Sequence, residues 1–465
     1  MSAAIRAAPA PRSSDGFAIA GVALAVRLAV VAWAATRFPP AEDGKYYQIV
    51  ATRIAEGKGY TWLWPDGVVT YAAHYPVGYP AVLGALYAVF GAHPTLAMVA
   101  NGVMGALAAL AVHRVASVGA NRRGANVAAL AIALHPGLVF YTPAIMTEGF
   151  AAALLALAAW ATVAARRRGR GVVWTGIAFG AATLVRPQSL LLAPCFGWLA
   201  APPGNRRVAL GRAAAVTAIA VGACLPWTFR NCARMHSCVL VSANAGWNLF
   251  IGAAPGATGS WVALDQLGVP AECRNVFGEA EKDACFGHAA VRDIEREPGR
   301  FLSLVPKKLA VTFDYAGAAG WYLHSSNPGA FSESAKVRLG TAETIWERLV
   351  VLAALVAIAR YDGPFGRVRK GAAAATSAFL FMKSAWVAHL GLGLSAALLG
   401  RRFRDADRLP ASLAAVTVLG TAATHAVFFG SGRYSLVCFP ALAGLAGTVL
   451  TGSKEPRDNG ESSQR

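Results

Sequence analysis

The sequence predicts an all-α, polytopic membrane protein, and three observations predict it. The 465 residues are 56% hydrophobic and only 14% charged, with a mean hydropathy of +0.45, whereas soluble domains carry about 25% charge. The apolar residues fall in long blocks, and short basic strings separate the blocks. The 24 prolines and 48 glycines show no period, which excludes a collagen-like or low-complexity chain. A net charge of +19 would suggest nucleic acid in a soluble protein. Here much of the arginine is clustered tightly between apolar blocks, so membrane orientation accounts for it and nucleic acid is not an expected partner.

Each span needs roughly 20 apolar residues to cross a core of about 30 Å. The blocks read as about ten spans, at 17–35, 94–116, 125–141, 145–165, 171–185, 188–201, 208–228, 373–399, 409–429 and 434–451. The first block is long enough to remain as a span rather than be removed as a signal peptide. Basic loops stay cytoplasmic. The strings Arg114/Arg122/Arg123, Arg166–Arg168/Arg170, Arg206/Arg207/Arg212 and Arg401/Arg402/Arg404/Arg408 therefore place the N-terminus inside, and the C-terminal tail returns there. The loops 36–93, 142–147 and 229–372 then face outward. Three regions follow: a membrane module over 1–228 that includes the first outer loop (36–93), an outer region over 229–372, and terminal spans with a short tail over 373–465.

Two apolar stretches disturb this alternation if counted as spans. Pro76 to Gly91 would put Arg122 and Arg123 outside, so it reads as a helix lying at the outer interface. Ile345 to Ala359 would expose the 401–408 cluster, so it reads as interfacial or re-entrant. The pair 171–185 and 188–201 must go up and come back, and each arm reaches only about 22 Å. Arg186-Pro187 at its tip should therefore sit below the outer surface, in protein or water rather than lipid. Arg27 within the first span and Lys383 within 373–399 either snorkel or find a partner in the bundle.

The outer side carries the chemistry. Glu42-Asp43 lies just beyond the first span, followed by Tyr46-Tyr47, Gly57-Lys58-Gly59-Tyr60 and His74-Tyr75-Pro76-Val77-Gly78-Tyr79-Pro80. Adjacent carboxylates can supply a general base, because like charge and burial raise a carboxylate pKa. They can equally be a solvated acidic cap. Arg186, Arg230 and Arg433 sit at outer ends of spans, against the positive-inside trend, each beside a proline or an aromatic. Guanidinium forks suit phosphate oxygens, and three together point to an anionic headgroup site, although any one could snorkel. Glu148 opens a span at the same face, where a carboxylate also complements a helix dipole.

Cys195, Cys224 and Cys438 fall in spans, while Cys232, Cys238, Cys273 and Cys285 all follow Arg230 in the outer region. An even number there suggests two disulfides. Sequence neighbours favour Cys232–Cys238 and Cys273–Cys285 among three pairings, and no histidine spacing supports zinc. No phosphate-binding loop, dinucleotide fingerprint or Ser-His-Asp signature is present.

Taken in order, these segments resemble glycosyltransferase family 39, the polyprenol-phosphate-dependent GT-C enzymes that include protein O-mannosyltransferases and the lipid A aminoarabinose transferase. The resemblance runs through Glu42-Asp43 with Tyr46 or Tyr47, Gly57–Tyr60, Pro76–Pro80, Thr147-Glu148, Leu184–Pro187, Pro226-Trp227 through Arg230-Asn231, Gly246–Gly252, and Phe428 through Arg433-Tyr434. It implies a GT-C-type bundle and inverting transfer of a sugar from a polyprenyl-phosphate donor to a protein, lipid or glycan acceptor at the periplasmic face of a bacterial inner membrane. Asp43 would be the base, with Glu42 beside it and Glu148 as a second carboxylate near the acceptor. Arg186, Arg230 or Arg433 would hold the departing phosphate. Tyr46, Tyr47, His74, Tyr75 and Tyr434 are the candidate substrate contacts. The family's acidic pair is often Asp-Glu, and its first-loop lysine has no counterpart here, where His74 stands nearby. No soluble domain is expected after the last span. No cofactor is implied; a divalent metal shared by Asp43 and Glu148 is left open by their spacing.

Two rivals remain at this level. An envelope polysaccharide polymerase or ligase would also use external arginines on lipid-linked glycans. A transporter of an amphipathic anion should show paired halves with polar groups at mid-depth, whereas no internal repeat is visible and the polar groups lie at the rim.

Overall fold

The computed structural model describes residues 11–450 apart from 170, 363 and 400–402, so Arg170, Arg401, Arg402 and the tail lie outside the described residues. The chain opens with α1 (Ser13–Ala34), α2 (Asp43–Ala55), a hairpin of β1 (Thr61–Leu63) and β2 (Val69–Tyr71), and α3 (Gly78–Phe90). There follow α4 (Pro94–Ala116), α5 (Arg122–Ala133), α6 (Pro136–Phe140), α7 (Glu148–Arg168), α8 (Val172–Val185), α9 (Ala193–Ala200) and α10 (Arg206–Met235). The outer region contributes α11 (Ala245–Ala253), α12 (Leu264–Leu267), α13 (Glu279–Arg296), α14 (Pro298–Phe313) and α15 (Ala318–Ser326). Last come α16 (Glu333–Arg360), α17 (Gly366–Ser377), α18 (Ala385–Ala397), α19 (Leu409–Val427) and α20 (Phe439–Ala446). Among the described residues α1, α4, α7, α10 and α19 are long and apolar enough to cross a membrane. The protein is a multi-pass membrane protein with little sheet.

Hydrogen bonds fix which helix ends share a face. Arg122 pairs with Asp15 at 2.6 Å, Arg166 donates to the Arg404 carbonyl, and Arg212 donates to the carbonyls of Ala165 and Ala200. Arg360 reaches the Val449 carbonyl, and the Asn121 amide reaches that of Leu450. These contacts gather the arginine strings at one basic end. The turns that carry Asp43, Glu148, Arg186 and Arg433 meet at the other. Between them the packing is built on small residues, with Ala23, Ala106, Ala109, Ala125, Ala128 and Ala129 all buried, which lets helices approach closely without water to drive them together.

The 125–141 block is one passage made of two helices. Pro136 has no N–H, so the Ile132 carbonyl loses its helical donor. Arg27, buried in α1, supplies the replacement: its guanidinium donates to Ile132 O and Ala133 O, both at 3.0 Å. A charge inside the first span is thus explained by a break in a neighbouring one.

α8 and α9 form the short hairpin that the basic flanks require, joined by a 3-10 turn at Pro187–Leu192. α8 has 14 residues, about 21 Å. It lies tight against α10 because Gly176 and Gly180 face it. A Cβ on Gly180 would come within 2.5 Å of Ala223, and one on Gly176 within 2.6 Å of Ile219.

The C-terminal quarter of the chain corrects the reading of 345–359 and 373–399. Residues 345–359 belong to α16, one continuous helix of 28 residues, about 42 Å long, ending at the basic end. The 373–399 block is instead a hairpin: α17 rises from that end, breaks over Met382–Ser384, and α18 returns. Asp314 Oδ1 accepts from Trp386 N at 3.0 Å and so caps α18. The two exchanges cancel, so Arg404 and Arg408 stay with the other arginines. The 229–372 stretch also divides. α11 and α13 share a small apolar cluster around Phe250, Ala253 and Phe286, whereas α14, α15 and α16 contribute to the main core of the bundle.

Candidate active site

Asp43 is placed by a sharp entry into α2, where Glu42 takes a left-handed φ of 51°. Gly44 is required behind it, since a Cβ there would meet Tyr322 Oη at 2.9 Å and Ile145 O at 3.0 Å. The Tyr322 hydroxyl ties the two acidic segments together. It accepts from Ala41 N at 3.2 Å and Ile145 N at 3.3 Å, just before Asp43 and Glu148 respectively.

The charged groups form one network. Asp43 Oδ1 accepts from the Tyr75 hydroxyl at 2.8 Å, and Oδ2 meets Arg433 Nη1 at 3.1 Å. Arg433 Nε lies 3.4 Å from Glu148 Oε1, which Arg186 Nη1 also approaches, at 3.2 Å. The Tyr141 hydroxyl donates to Glu148 Oε2 at 2.9 Å. Tyr434 lies under both guanidiniums, 5.0 Å from Arg186 and 5.3 Å from Arg433, and its ring stacks on His425 at 4.3 Å. Two carboxylates and two guanidiniums thus neutralise one another, which is what burying four charges demands. Glu148 is 2% exposed, whereas the Asp43 side chain keeps 26%. Asp43 is the more accessible of the two carboxylates.

These groups line a cavity of about 400 Å³. Part of the lining is apolar, with Val185, Pro187, Leu190, Leu191, Ile251 and Phe428. The rest includes the aromatic and polar Tyr47, His74, Tyr75, Asn244, Trp247 and Asn248. His74 packs edge-on against Trp247 at 5.3 Å. Burial pushes its imidazole pKa down, and Asp43 pulls the other way.

The backbone beside His74 and at Trp247 is held by α13. Glu279 accepts from Ala73 N at 2.5 Å, and Asp283 accepts from Trp247 N at 2.8 Å. Burial raises the pKa of both carboxyls against those backbone donors. Cys273 and Cys285 are bonded, linking α13 to the preceding turn, and Cys232 is bonded to Cys238 at the end of α10.

Three candidate residues stand apart from the cavity. Arg230 donates to Ala72 O at 2.8 Å and Tyr60 O at 2.6 Å, with its guanidinium 4.5 Å from the Trp227 ring. It clamps the first outer loop and is not among the residues that line the cavity. Tyr46 stacks on Trp62 at 4.8 Å inside that loop. Glu42 is exposed and accepts from the Ser325 hydroxyl. Tyr47, His74, Tyr75, Glu148, Arg186, Arg433 and Tyr434 do line the cavity with Asp43. Tyr141, Tyr322, His425, Asn248 and Trp261 were not singled out from sequence. They sit in or beside apolar blocks, and only Asn248, within 246–252, lay in a stretch that sequence reading marked.

The arrangement does not fit a divalent metal shared by Asp43 and Glu148. Arg433 already bridges them at 3.1 and 3.4 Å, so a cation would have to displace a guanidinium. Among the described residues no group of three or more His, Cys, Asp or Glu side chains converges as a metal site.

Residues 74–229, a third of the chain, match the family described as dolichyl-phosphate-mannose-protein mannosyltransferase. That segment contains His74, Tyr75, Glu148 and Arg186. No curated protein sequence matches the chain. Among solved structures it is similar to the oligosaccharyltransferase AglB from Archaeoglobus fulgidus in complex with an inhibitory peptide and a dolichol-phosphate. There the identity is 17% over 94% of this chain and 50% of that one, with a TM-score of 0.46. The A. fulgidus enzyme tethered to an acceptor peptide gives 15% identity over 94% and 49%, with a TM-score of 0.46. ArnT from Cupriavidus metallidurans bound to undecaprenyl phosphate gives 16% over 92% and 76%, with a TM-score of 0.38. The chain spans about half the length of the archaeal structures it matches.

Proposed function

We propose that the protein is a membrane glycosyltransferase that moves a sugar from a polyprenyl-phosphate donor to an extracytoplasmic acceptor with inversion. The observation that carries this reading is the contact between Asp43 and Arg433 at 3.1 Å in a cavity whose lining is partly apolar. The donor phosphate would take donors from Arg433 and Arg186, its isoprenoid would lie along Leu190, Leu191 and Phe428, and its sugar would face Asp43. The acceptor hydroxyl or amine attacks the anomeric carbon, and Asp43 takes its proton. The bond from that carbon to the phosphate oxygen breaks, and polyprenyl phosphate departs with an added negative charge that the two guanidiniums stabilise. The match of residues 74–229 to a family described by a lipid-phosphate mannose donor supports the donor class.

On this reading the basic end faces the cytoplasm of a bacterial inner membrane and the site faces the periplasm. The test is incubation of the purified protein with a panel of polyprenyl-phosphate sugars and candidate acceptors, with released polyprenyl phosphate as the readout. Binding of donors without release from any of them would overturn transfer.

A further inference from the structure

The β1–β2 hairpin shows water an unusual composition. Leu63, Trp64, Val68, Val69 and Tyr71 are each between 44% and 53% exposed, and all three residues of β2 are exposed. Because side chains alternate along a strand, Leu63, Val69 and Tyr71 share one face, and Trp64 and Val68 flank Thr70 on the other, where Trp62 packs on Tyr46. A hairpin resting on a core would bury one face and make the other polar.

Its height can be read from α10. Arg230 bonds to Tyr60 O and Ala72 O, the residues that flank the two strands, so the base of the hairpin is fixed at residue 230. The rise from Arg206, at the basic end, to Arg230 is about 36 Å at 1.5 Å per residue, just beyond a hydrocarbon core of about 30 Å. One residue earlier, Phe229 is 67% exposed on a span, continuous with the lipid-facing side of α10. Arg234, one turn further out, lies 4.8 Å from the Tyr71 ring. Trp, Tyr and Arg together at this depth are the composition of a headgroup interface.

We infer that the hairpin lies in the lipid headgroup layer at the site end of the bundle, as an interfacial contact with the bilayer. Only two residues separate β2 from His74 and Tyr75, so this contact sets the height of the Asp43 partner against the membrane surface. The inference stands on the membrane placement of α10 and is independent of the reaction assigned to the cavity.

The test is a nitroxide label at Val68→Cys in a Cys195→Ser background, because Cys195 is the exposed free thiol. The protein is placed in nanodiscs of phosphatidylcholine and phosphatidylglycerol, and collisions with oxygen and with a water-soluble nickel chelate are compared. Labels at Leu225→Cys and Gln266→Cys give the lipid and water limits. The oxygen-to-nickel ratio at 68 should exceed that at 266 severalfold and fall short of that at 225. Separately, brominated lipids should quench emission in the wild type more than in Trp64→Phe. A label at 68 that behaves like the one at 266 would overturn the inference and leave the patch for a protein acceptor, and so would equal quenching of the two proteins.

Discussion

Arg433 Nη1 meets Asp43 Oδ2 at 3.1 Å across 390 residues of sequence, joining the last turn at the site end to the first. The same guanidinium reaches Glu148, so one side chain from the C-terminal quarter organises both carboxylates of the N-terminal half. The cavity is therefore complete only when the two halves of the bundle are docked, and its charges are balanced before any substrate arrives. On the proposed reading, a donor phosphate entering this network would compete with Asp43 for Arg433. The Asp43 carboxylate would then be released toward the acceptor as the leaving group is held.

Asp43→Asn should therefore keep donor binding and lose turnover by about 10²-fold or more, the scale of a positioned base. Glu42→Gln should cost far less, because Glu42 is exposed and its partner is Ser325. The check is donor binding measured beside product formation. Near-normal transfer by the Asn variant would remove Asp43 from the chemistry.

The topology makes a separate prediction. Cysteines placed at Gln266 and Pro328 should react with an impermeant reagent from outside, while those at Gly169 and Arg404 should not. Phe365, between α16 and α17, is 63% exposed but belongs to the basic end, so Phe365→Cys should also be protected. Outside labelling at 365 would return α16 to an interfacial position and undo the α17–α18 hairpin.

Why these two segments were exchanged in the sequence reading is a matter of partners. In sequence, a span at 345–359 is set aside because it would expose the 401–408 cluster, and the partners of Glu343, Glu347 and Arg348 on α16 are not visible. In the fold Glu343 accepts from Gly320 N at 3.4 Å, Glu347 lies 3.4 Å from His389, and Arg348 donates to Asp314 O at 3.1 Å. The break in 373–399 is hidden for the opposite reason, since the block is alanine-rich and its capping carboxylate, Asp314, is remote in sequence. The α8–α9 hairpin was legible because both its flanks are basic and its arms are too short to span. Arg186, Arg230 and Arg433 looked equivalent because sequence cannot tell which backbone carbonyls a guanidinium will find. Tyr322 gave no signal at all, as its two amide partners lie 281 and 177 residues away.

His74 should make stability depend on pH. Burial holds its folded pKa below the unfolded value of 6.5, so the unfolded chain binds the proton first as pH falls. Its contribution is full above about 6.5 and is lost as pH drops through the folded value. Glu279 and Asp283, whose pKa values are raised by burial, act in the opposite sense and favour the folded state as they take up protons. The comparison with His74→Gln separates the two effects. Between pH 7.5 and 5 the unfolding temperature of the wild type should fall relative to that of the variant. Parallel curves would mean that His74 does not titrate between the states.

The arginines separate transfer from mere anchoring. In transfer, the phosphate leaves with more negative charge than it carried in the bound diester, so a guanidinium aimed at it helps the transition state more than the ground state. Arg433→Ala and Arg186→Ala should then lower turnover more than donor affinity. Lys at either position should rescue only in part, lacking the planar fork. Arg230→Ala should behave differently, because its donors are spent on Tyr60 O and Ala72 O. Freeing those two carbonyls, at about 1–3 kcal/mol for each buried group left unpaired, should lower the unfolding temperature and loosen the first loop before it touches donor chemistry. Donor affinity, product formation and thermal unfolding measured on the same three variants distinguish these outcomes. If saturating donor restores full turnover to the Arg433 and Arg186 variants, the two guanidiniums are headgroup anchors and the leaving-group role is wrong. If Arg230→Ala instead loses turnover with its unfolding temperature unchanged, Arg230 belongs to the phosphate site after all.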